Sequence, residues 1–245
     1  MTDFYPPITP RIQQIALWLI ISIGCVLSPL AAAEGMSLDE QKAALAEAHV
    51  QYQNNRYFDA LDVIRPAAES GYAPAQHFYA YLNWGGSFYD QAYLWYEKAA
   101  LQGHRDSIFA LVSLITENEV TDRSTQVAVD WLTPLAKESD SDALKWLFTQ
   151  NRNGRADWPI DGNQALKWLT IALQAQQPWA MFAWSEILEN GDFKQAENQQ
   201  QALYWLTQSG EQGFRPAIDK LIAVYSTPLL SQKVDQSQIR YWSSK

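Results

Sequence analysis

The side chains best suited to metal binding are few in this sequence. The histidines are His49, His77 and His104. None belongs to an H-x-x-x-H or H-E-x-x-H arrangement, the spacings that place two imidazoles on one helix face around zinc. We therefore expect no metal site and a structural role for all three histidines, with His104 in a turn between helices.

Two pairs of carboxylates could in principle perform acid-base chemistry: Glu117 with Glu119, and Asp140 with Asp142. Both pairs fall in predicted turns, where a solvated acidic surface is the simpler interpretation. The sequence also lacks a G-x-S-x-G nucleophile elbow and a phosphate-binding G-x-x-x-x-G-K loop. It therefore predicts no enzyme activity and no cofactor.

Composition narrows the classes of partner. The chain has 245 residues and a formal net charge of −9, without a cluster of lysines and arginines. Nucleic-acid phosphates bind surfaces with clustered cations, so we expect no nucleic-acid partner.

The N-terminus resembles an export signal. Arg11 precedes an apolar stretch from Ile15 to Leu30, and the small residues Ala31 and Ala33 follow it. This order predicts a secretory signal peptide, residues 1–33, cleaved after Ala33, and hence a periplasmic or secreted protein.

Two alternatives to cleavage after Ala33 stay open. The stretch from Ile15 to Ala33 is close to spanning length and could remain as an inner-membrane anchor. Cys25 could instead be lipidated, although Ser22 stands where a lipoprotein signal prefers a branched apolar residue. Cys25 is the only cysteine, so the mature chain would hold no disulfide and no thiolate metal site.

A repeat occupies most of the remaining chain. Taking an alanine as position zero, large apolar residues recur at +3 and +4, small ones at +7 and +8, and glycine at +11. Positions 0, +3, +4, +7 and +8 share one face of a helix. The units begin near Ala60, Ala92, Ala128, Ala165 and Ala202.

Each unit is predicted to be a helical hairpin. The first helix runs from about −3 to +10 and the second from about +14 to +25. Side chains suited to helix N-caps stand four residues before position zero, and glycines at +11 suit the left-handed turn that closes a helix. The caps are Ser124, Asp161, Asn198 and Asp235, and the glycines are Gly71, Gly103 and Gly213.

Stacked hairpins need covered ends. The segment Leu38 to Gln53, with Ser37 as its cap, is predicted to supply the partner helix of the first unit. Residues 227–245 are expected to form a tail with a truncated capping helix, in which Trp242 takes the +3 position. The fold class predicted for residues 34–226 is an all-α solenoid of stacked antiparallel helical hairpins, with the aromatic at +3 filling the space between hairpins.

The segments QAYLWYEKAALQGHRDS and QALYWLTQSGEQGFRPA resemble the Sel-1-like repeat family, a relative of the tetratricopeptide repeats. The loop NGRADWPIDGNQA is similar to the glycine-containing link of that family. Units three and four depart from the pattern, with Ser139 and Gln176 in place of glycine. The resemblance implies a scaffold for protein interactions in the bacterial envelope, which is a statement about the family and not about this chain.

Candidate binding residues are those that the repeat pattern does not explain. A loop tryptophan flanked by arginines has the residue types enriched at interaction hot spots; the alternative is that its indole folds over the edge of a hairpin. The residues are Trp158, Arg152 and Arg155, followed by Trp84, Trp179 and Trp184.

Two functional hypotheses follow. The first is an exported, non-catalytic adaptor that holds another protein or an extended peptide. The second is a module that binds cell-wall polymer or glycan, because the 32 aromatic residues formed by 11 Trp, 12 Tyr and 9 Phe could stack on sugar rings.

Overall fold

The computed structural model describes residues 35–117, 119–120, 124–155, 158–227, 230 and 232–245. The predicted signal peptide, residues 1–33, lies outside them. The described residues form twelve α-helices and one 3-10 turn, Asp192–Lys194, without a β-strand. The helices are α1 (Leu38–Gln53), α2 (Tyr57–Glu69), α3 (Ala73–Gly85), α4 (Tyr89–Ala100), α5 (Arg105–Thr116), α6 (Thr125–Lys137), α7 (Ser141–Asn153), α8 (Gly162–Gln174), α9 (Pro178–Asn190), α10 (Gln199–Glu211), α11 (Arg215–Ser226) and α12 (Gln236–Ser243).

These helices pair in chain order. The hairpins are α2 with α3, α4 with α5, α6 with α7, α8 with α9 and α10 with α11, while α1 packs on α2 and α12 packs on α11. The first helix of every hairpin begins three residues before the alanine that opens its unit. The predicted fold class, an all-α solenoid of stacked hairpins, is confirmed. Within the described part of the chain, no helix combines the length and apolarity needed to cross a membrane.

Side-chain caps fix where several helices begin. Asp161 accepts hydrogen bonds from the backbone N–H groups of Asn163 and Gln164, both at 3.0 Å. Asn198 and Asp235 cap α10 and α12 in the same way. Ser124 takes the predicted N-cap position of α6 with an extended backbone, but its side chain accepts no hydrogen bond from the helix.

The turn inside each hairpin uses a left-handed residue at +11. Gly71, Gly103 and Gly213 have φ values of 95°, 81° and 82°. The two units that lack glycine keep the same conformation, with φ 66° at Ser139 and 54° at Gln176. A side chain in this region costs about 1–2 kcal/mol, which the surrounding hairpin contacts must offset.

Helix faces are buried as the repeat predicts, with one difference. The alanines at position zero are fully buried in all five units, and the residues at +4 are 0–1% exposed. At +3 only Trp168 is buried, whereas Trp95, Trp131 and Trp205 are half-buried. Position +4 lies about 40° from position zero on one side of the helix and +3 about 60° on the other, so +3 forms the flank of the buried face.

Polar contacts join neighbouring hairpins, and each junction uses a different chemistry. Between α5 and α7, Arg105 pairs with Asp140, with 2.7 Å between Nε and Oδ2. Between α7 and α9, Trp179 Nε1 donates to Ser141 Oγ at 3.1 Å. Ser209 Oγ donates to the carbonyl of Pro178 at 2.7 Å.

Candidate protein-binding groove

A groove of about 660 Å³ runs between α6 and α8, the first helices of two successive hairpins. Each flanking helix has 13 residues, so the walls extend for about 20 Å. The groove is lined by Thr125, Gln126, Val129, Asp130, Thr133 and Lys137 of α6, by Gln164, Lys167, Trp168 and Ile171 of α8, and by Asn151, Trp158, Pro159 and Asp161. A long trough of mixed polar and apolar character suits an extended chain better than a compact small molecule.

Two cations stand on the walls of this groove. Lys137 and Lys167 form no ion pair within the described part of the chain, although Lys167 Nζ lies 5.1 Å from the centroid of the Trp168 ring. On the α6 wall, Asp130 accepts a hydrogen bond from Gln126 at 2.9 Å. The groove therefore offers both charges and the large indole of Trp168.

Asn151 supplies an acceptor at the floor of the groove. The residue is 6% exposed, and its Nδ2 donates to the carbonyl of Leu147 at 2.7 Å. Its Oδ1 accepts no hydrogen bond within the described residues. As an amide oxygen, Oδ1 can accept a hydrogen bond from a backbone N–H of a chain bound in the groove.

Trp158 reaches the groove from the link between α7 and α8. Its backbone pairs with that of Arg155 in a short antiparallel bridge, with N–O distances of 2.6 and 3.1 Å. The indole is only 7% exposed and packs edge-to-face on Trp146, with ring centroids 5.3 Å apart. The ring is therefore folded over the hairpin, the second of the two alternatives, while its remaining surface still lines the groove.

The two predicted arginines lie beside Trp158 but make structural contacts. Arg155 donates through its guanidinium to the backbone carbonyl of Thr116 in the preceding hairpin. Arg152 lies 3.5 Å from a carboxylate oxygen of both Glu186 and Asp192. Neither is among the residues that line the groove, and a binding role for them stays a prediction.

The other predicted tryptophans lie away from the groove. Trp179 is 7% exposed and is held at the junction between α7 and α9. Trp184 is half-buried where two parts of the core meet. Trp84 is half-buried and packs edge-to-face on Tyr96, with ring centroids 6.1 Å apart.

The histidines converge around a second cleft, between α1, α3 and the start of α5. His77 Nδ1 lies 2.9 Å and His104 Nδ1 lies 3.0 Å from Ser107 Oγ. Burial, and then the neighbouring His104, lower the pKa of His77 to about 4. Among the described residues, no group of three His, Cys, Asp or Glu side chains is arranged to hold a metal ion.

Sequence reasoning missed most of the groove residues, although the repeat contains a signal for them. Asp130 and Lys167 both occupy position +2 of their units, and Thr133 and Lys137 follow at +5 and +9. These spacings of three and four residues mark one exposed face on each first helix. Comparing the exposed positions of successive first helices would have identified the walls.

Comparisons with known proteins agree with this architecture. The family model described as the Sel1 repeat matches residues 73–104, 153–176 and 180–214. The chain is similar to the crystal structure of a Sel1 repeat protein from Oxalobacter formigenes, with 20% identity and a TM-score of 0.59 over 85% of this chain and 89% of that one. No curated protein matches the sequence.

A second solved structure is the protective antigen c5321 of uropathogenic Escherichia coli strains, which displays an SLR fold. It shares 22% identity and a TM-score of 0.61 over 87% of this chain. This chain spans 46% of the antigen, somewhat less than half of its length. At these identities the two structures establish a shared fold and leave function open.

Proposed function

We propose that this chain, which carries Sel1 repeats at three positions, is a non-catalytic scaffold that binds an extended segment of another protein in the groove between α6 and α8. The observation that carries the proposal is the combination of a groove open along two helices with an amide oxygen of a lining residue, Asn151 Oδ1, that accepts no hydrogen bond from a described residue. An extended polypeptide presents a regular series of backbone N–H groups to such an acceptor. The indole of Trp168 would pack against its apolar side chains.

Two lysines, one that lines the groove and one that lies outside it, provide the variants that test the proposal. Lys167 is exposed, lines the groove and makes no ion pair within the described residues, so its replacement by Glu changes the groove and leaves the core intact. Lys145 on α7 is also exposed but lies outside the groove. Lys145→Glu is therefore a control with the same change in charge.

The experiment is crosslinking in native cells followed by purification of the protein. We expect one protein partner in stoichiometric amount with the wild-type chain and with Lys145→Glu, and at least tenfold less with Lys167→Glu. Equal recovery with both variants would place the contact elsewhere. Recovery of wall polymer instead of protein would favour the second hypothesis, a module that binds glycan.

We also propose that the protein is exported, because the order of Arg11, the apolar stretch and Ala31 with Ala33 is that of a signal peptide. N-terminal sequencing of the protein from envelope and soluble fractions tests this. A mature N-terminus at Glu34 is the expected result. An N-terminus at Met1 in the membrane fraction would support the anchor instead.

A further inference from the structure

The cleft between α1, α3 and the start of α5, which we call the histidine cleft, has a volume of about 450 Å³. Its lining combines the aromatic rings of Tyr52, Phe78 and Tyr81 with three imidazoles and the carboxylate of Asp106. Among the described residues, no lysine or arginine lines it. The histidine cleft therefore presents aromatic surface beside a negative charge.

The carboxylate of Asp106 is available to a ligand. Its side chain is 72% exposed and accepts no hydrogen bond from a described residue. Arg105 Nη1 lies 3.9 Å from Asp106 Oδ1, but the same guanidinium contacts Asp140 at 2.7 Å and Asp142 at 2.6 Å. Arg105 is therefore held mainly by the two carboxylates of α7 and its N-cap, and it leaves Asp106 open.

Two imidazoles of the cleft add no positive charge near pH 7. The Nδ1 atoms of His77 and His104 lie 2.9 and 3.0 Å from Ser107 Oγ, and His104 Nδ1 also accepts the backbone N–H of Ser107. A proton lies in each contact when His77 Nδ1–H donates to Oγ and the hydroxyl donates to His104. His77 then has an unprotonated Nε2. Burial lowers the pKa of both rings, to about 4 for His77, and Asp106 acts in the opposite direction on each.

Two of the three aromatic rings are accessible. Tyr52 is 36% and Tyr81 is 44% exposed, whereas Phe78 is 5% exposed. The ring centroid of Tyr52 lies 5.9 Å from that of Phe78 and 5.7 Å from that of Tyr81, edge-to-face in both cases. The face of an aromatic ring carries partial negative charge and attracts a cation.

Cations of this chain use that attraction at other places in the described residues. Six charged groups lie 3.6–5.8 Å from the centroid of a ring, in the pairs Lys98 with Trp95, Arg105 with Phe109, Arg152 with Phe148, Lys167 with Trp168, Lys220 with Phe182 and Lys245 with Tyr241. No described lysine or arginine lies over Tyr52, Phe78 or Tyr81. These rings are therefore left for a cation from outside the chain.

Charge selects among the classes of ligand. An anion would be repelled by Asp106 and would find no cationic side chain on the described walls. A neutral ligand, such as a sugar, would displace water from Asp106 without supplying a counter-ion. A cation gains both the carboxylate and the rings, and N–H groups on it can donate to Asp106 and to the free Nε2 of His77.

We propose that the histidine cleft binds an organic cation that carries N–H groups on an alkyl stem. This chemistry is shared by the cationic side chains of a partner protein and by free aliphatic amines. The charged head lies against Asp106 and the rings of Tyr52 and Tyr81. The alkyl stem packs against Leu45 and Phe78, which also line the cleft.

The histidine cleft and the groove are tested separately. The cleft is built from α1, α3 and the start of α5, and the groove from α6 to α8. A failure of Lys167→Glu to affect partner recovery would therefore not affect this proposal. A failure of the cleft would likewise leave the proposed groove standing.

The test is an NMR titration of the purified protein with cadaverine and with N-acetyl-lysine methylamide. N-acetyl-norleucine methylamide, which has an alkyl side chain without the charge, and a chito-oligosaccharide serve as comparison ligands. Asp106→Asn removes the charge of the cleft. Asp90→Asn is the matched control, because Asp90 is also exposed and also stands in the first turn of a helix, α4.

Two variants of one residue test the ring. Tyr81→Leu removes the ring and Tyr81→Phe keeps it, so binding that depends on the ring is lost in the first and retained in the second. Thermal unfolding of each variant verifies that the fold is retained.

We expect saturable shifts at α1, α3 and the start of α5 with at least one of the two amines. Affinity should fall about three- to tenfold in Asp106→Asn and in Tyr81→Leu, and stay unchanged in Asp90→Asn and Tyr81→Phe. Binding of the lysine derivative alone would support the proposal with a protein side chain as the source of the cation. Binding of cadaverine alone would support it with a free amine.

Absence of saturable binding by the wild-type protein with both amines would overturn the proposal. So would equal binding of the norleucine derivative, preferential binding of the oligosaccharide, or wild-type affinity in both Asp106→Asn and Tyr81→Leu.

Discussion

His77 and His104 meet at one buried hydroxyl, and we expect this junction to make the first two hairpins sensitive to acid. Ser107 is fully buried, and its Oγ lies about equally far from the two Nδ1 atoms, at 2.9 and 3.0 Å. His104 also caps α5, because its Nδ1 accepts the backbone N–H of Ser107 at 3.3 Å. That nitrogen must therefore be unprotonated in the folded protein.

Protonation of both rings would oppose this arrangement in two ways. A proton on His104 Nδ1 would face the backbone N–H of Ser107 and remove the cap of α5. Two imidazolium cations would then stand with ring centroids 4.8 Å apart. Like charges at that separation repel by about 3 kcal/mol at an effective dielectric constant of about 20.

The groups around His77 do not neutralise this effect. Asp106 on α5 is the carboxylate that raises the pKa of His77, but burial and His104 outweigh it and lower the pKa from 6.5 to about 4. The cleft between α1, α3 and the start of α5, which His77 and His104 line, is also lined by His49, Tyr52 and Tyr81. The ring of Tyr96 on α4 lies 5.2 Å from that of His77, and burial keeps its hydroxyl protonated by raising its pKa.

The direction of the pH dependence follows from proton binding. As the pH falls through 6.5 the unfolded chain binds a proton at His77, whereas the folded chain does not until about pH 4. The free energy of unfolding therefore decreases across this interval. At pH 5 the difference would be about 2 kcal/mol for a fully shielded ring, and about 1 kcal/mol once solvent screening at the open side of the cleft is allowed for.

The assay compares thermal unfolding at pH 7.5 and pH 5.0 in the wild type, His77→Gln and His49→Gln. Gln can donate to Ser107 but cannot take up a proton. The ring of His49 packs at a tilt on that of Phe78, with centroids 3.9 Å apart, and makes no hydrogen bond to Ser107 within the described residues, so it is the control. For a chain of this size, about 1 kcal/mol corresponds to 2–4 °C in Tm.

We expect the wild type and His49→Gln to lose about 2–4 °C more than His77→Gln between the two pH values. An NMR titration of the His77 ring should give a pKa near 4. A measured pKa of 6.5 or above, or equal losses in the wild type and His77→Gln, would refute the reasoning.

Three further predictions concern stability. Gln176→Gly should raise the free energy of unfolding by about 1 kcal/mol, because position 176 has a left-handed backbone with φ 54°. Chemical denaturation measures this change, and a decrease in stability would contradict the strain argument. Gly210→Ala should lower the free energy of unfolding by about 1–3 kcal/mol and loosen α12, since a Cβ there would lie 3.0 Å from Trp242 Cζ3. Limited proteolysis of the C-terminus and tryptophan emission report this loosening, and unchanged digestion would count against it. Arg105→Gln should cost about 1 kcal/mol at pH 7 and raise the pKa of Asp140, which Arg105 holds below its ordinary value. The wild type should therefore lose more stability than the variant as the pH falls below about 4, and parallel curves would disprove it.

Much of the fold could be predicted because its determinants are local. The segment Leu38 to Gln53 and its cap Ser37 were identified from spacing, and α1 has those bounds and a capping box. The left-handed turn was predicted at Gly71, Gly103 and Gly213, and the structure keeps it at +11 where Ser139 and Gln176 replace glycine. Periodicity of 3.6 residues and side-chain caps are properties of single helices, and they need no knowledge of neighbouring units.

The environment of individual large side chains could not be predicted in this way. Trp158 follows a short loop, and nothing local distinguishes an exposed ring from one that packs on Trp146. The tryptophans at +3 share one pattern, yet only Trp168 is buried. Such differences depend on how far each unit rotates relative to the next.

The sequence by itself determined the helices, their caps and the face that each one buries, because alanine, indole and glycine recur at fixed distances along the chain. Only the tertiary structure decided which exposed side chains meet, since partners such as Tyr52 and Tyr81, or His77 and Ser107, stand 29 and 30 residues apart. Their juxtaposition depends on the rotation between hairpins and on the links that join them. The pattern of burial within one hairpin depends neither on this rotation nor on the links, so it does not predict which side chains meet.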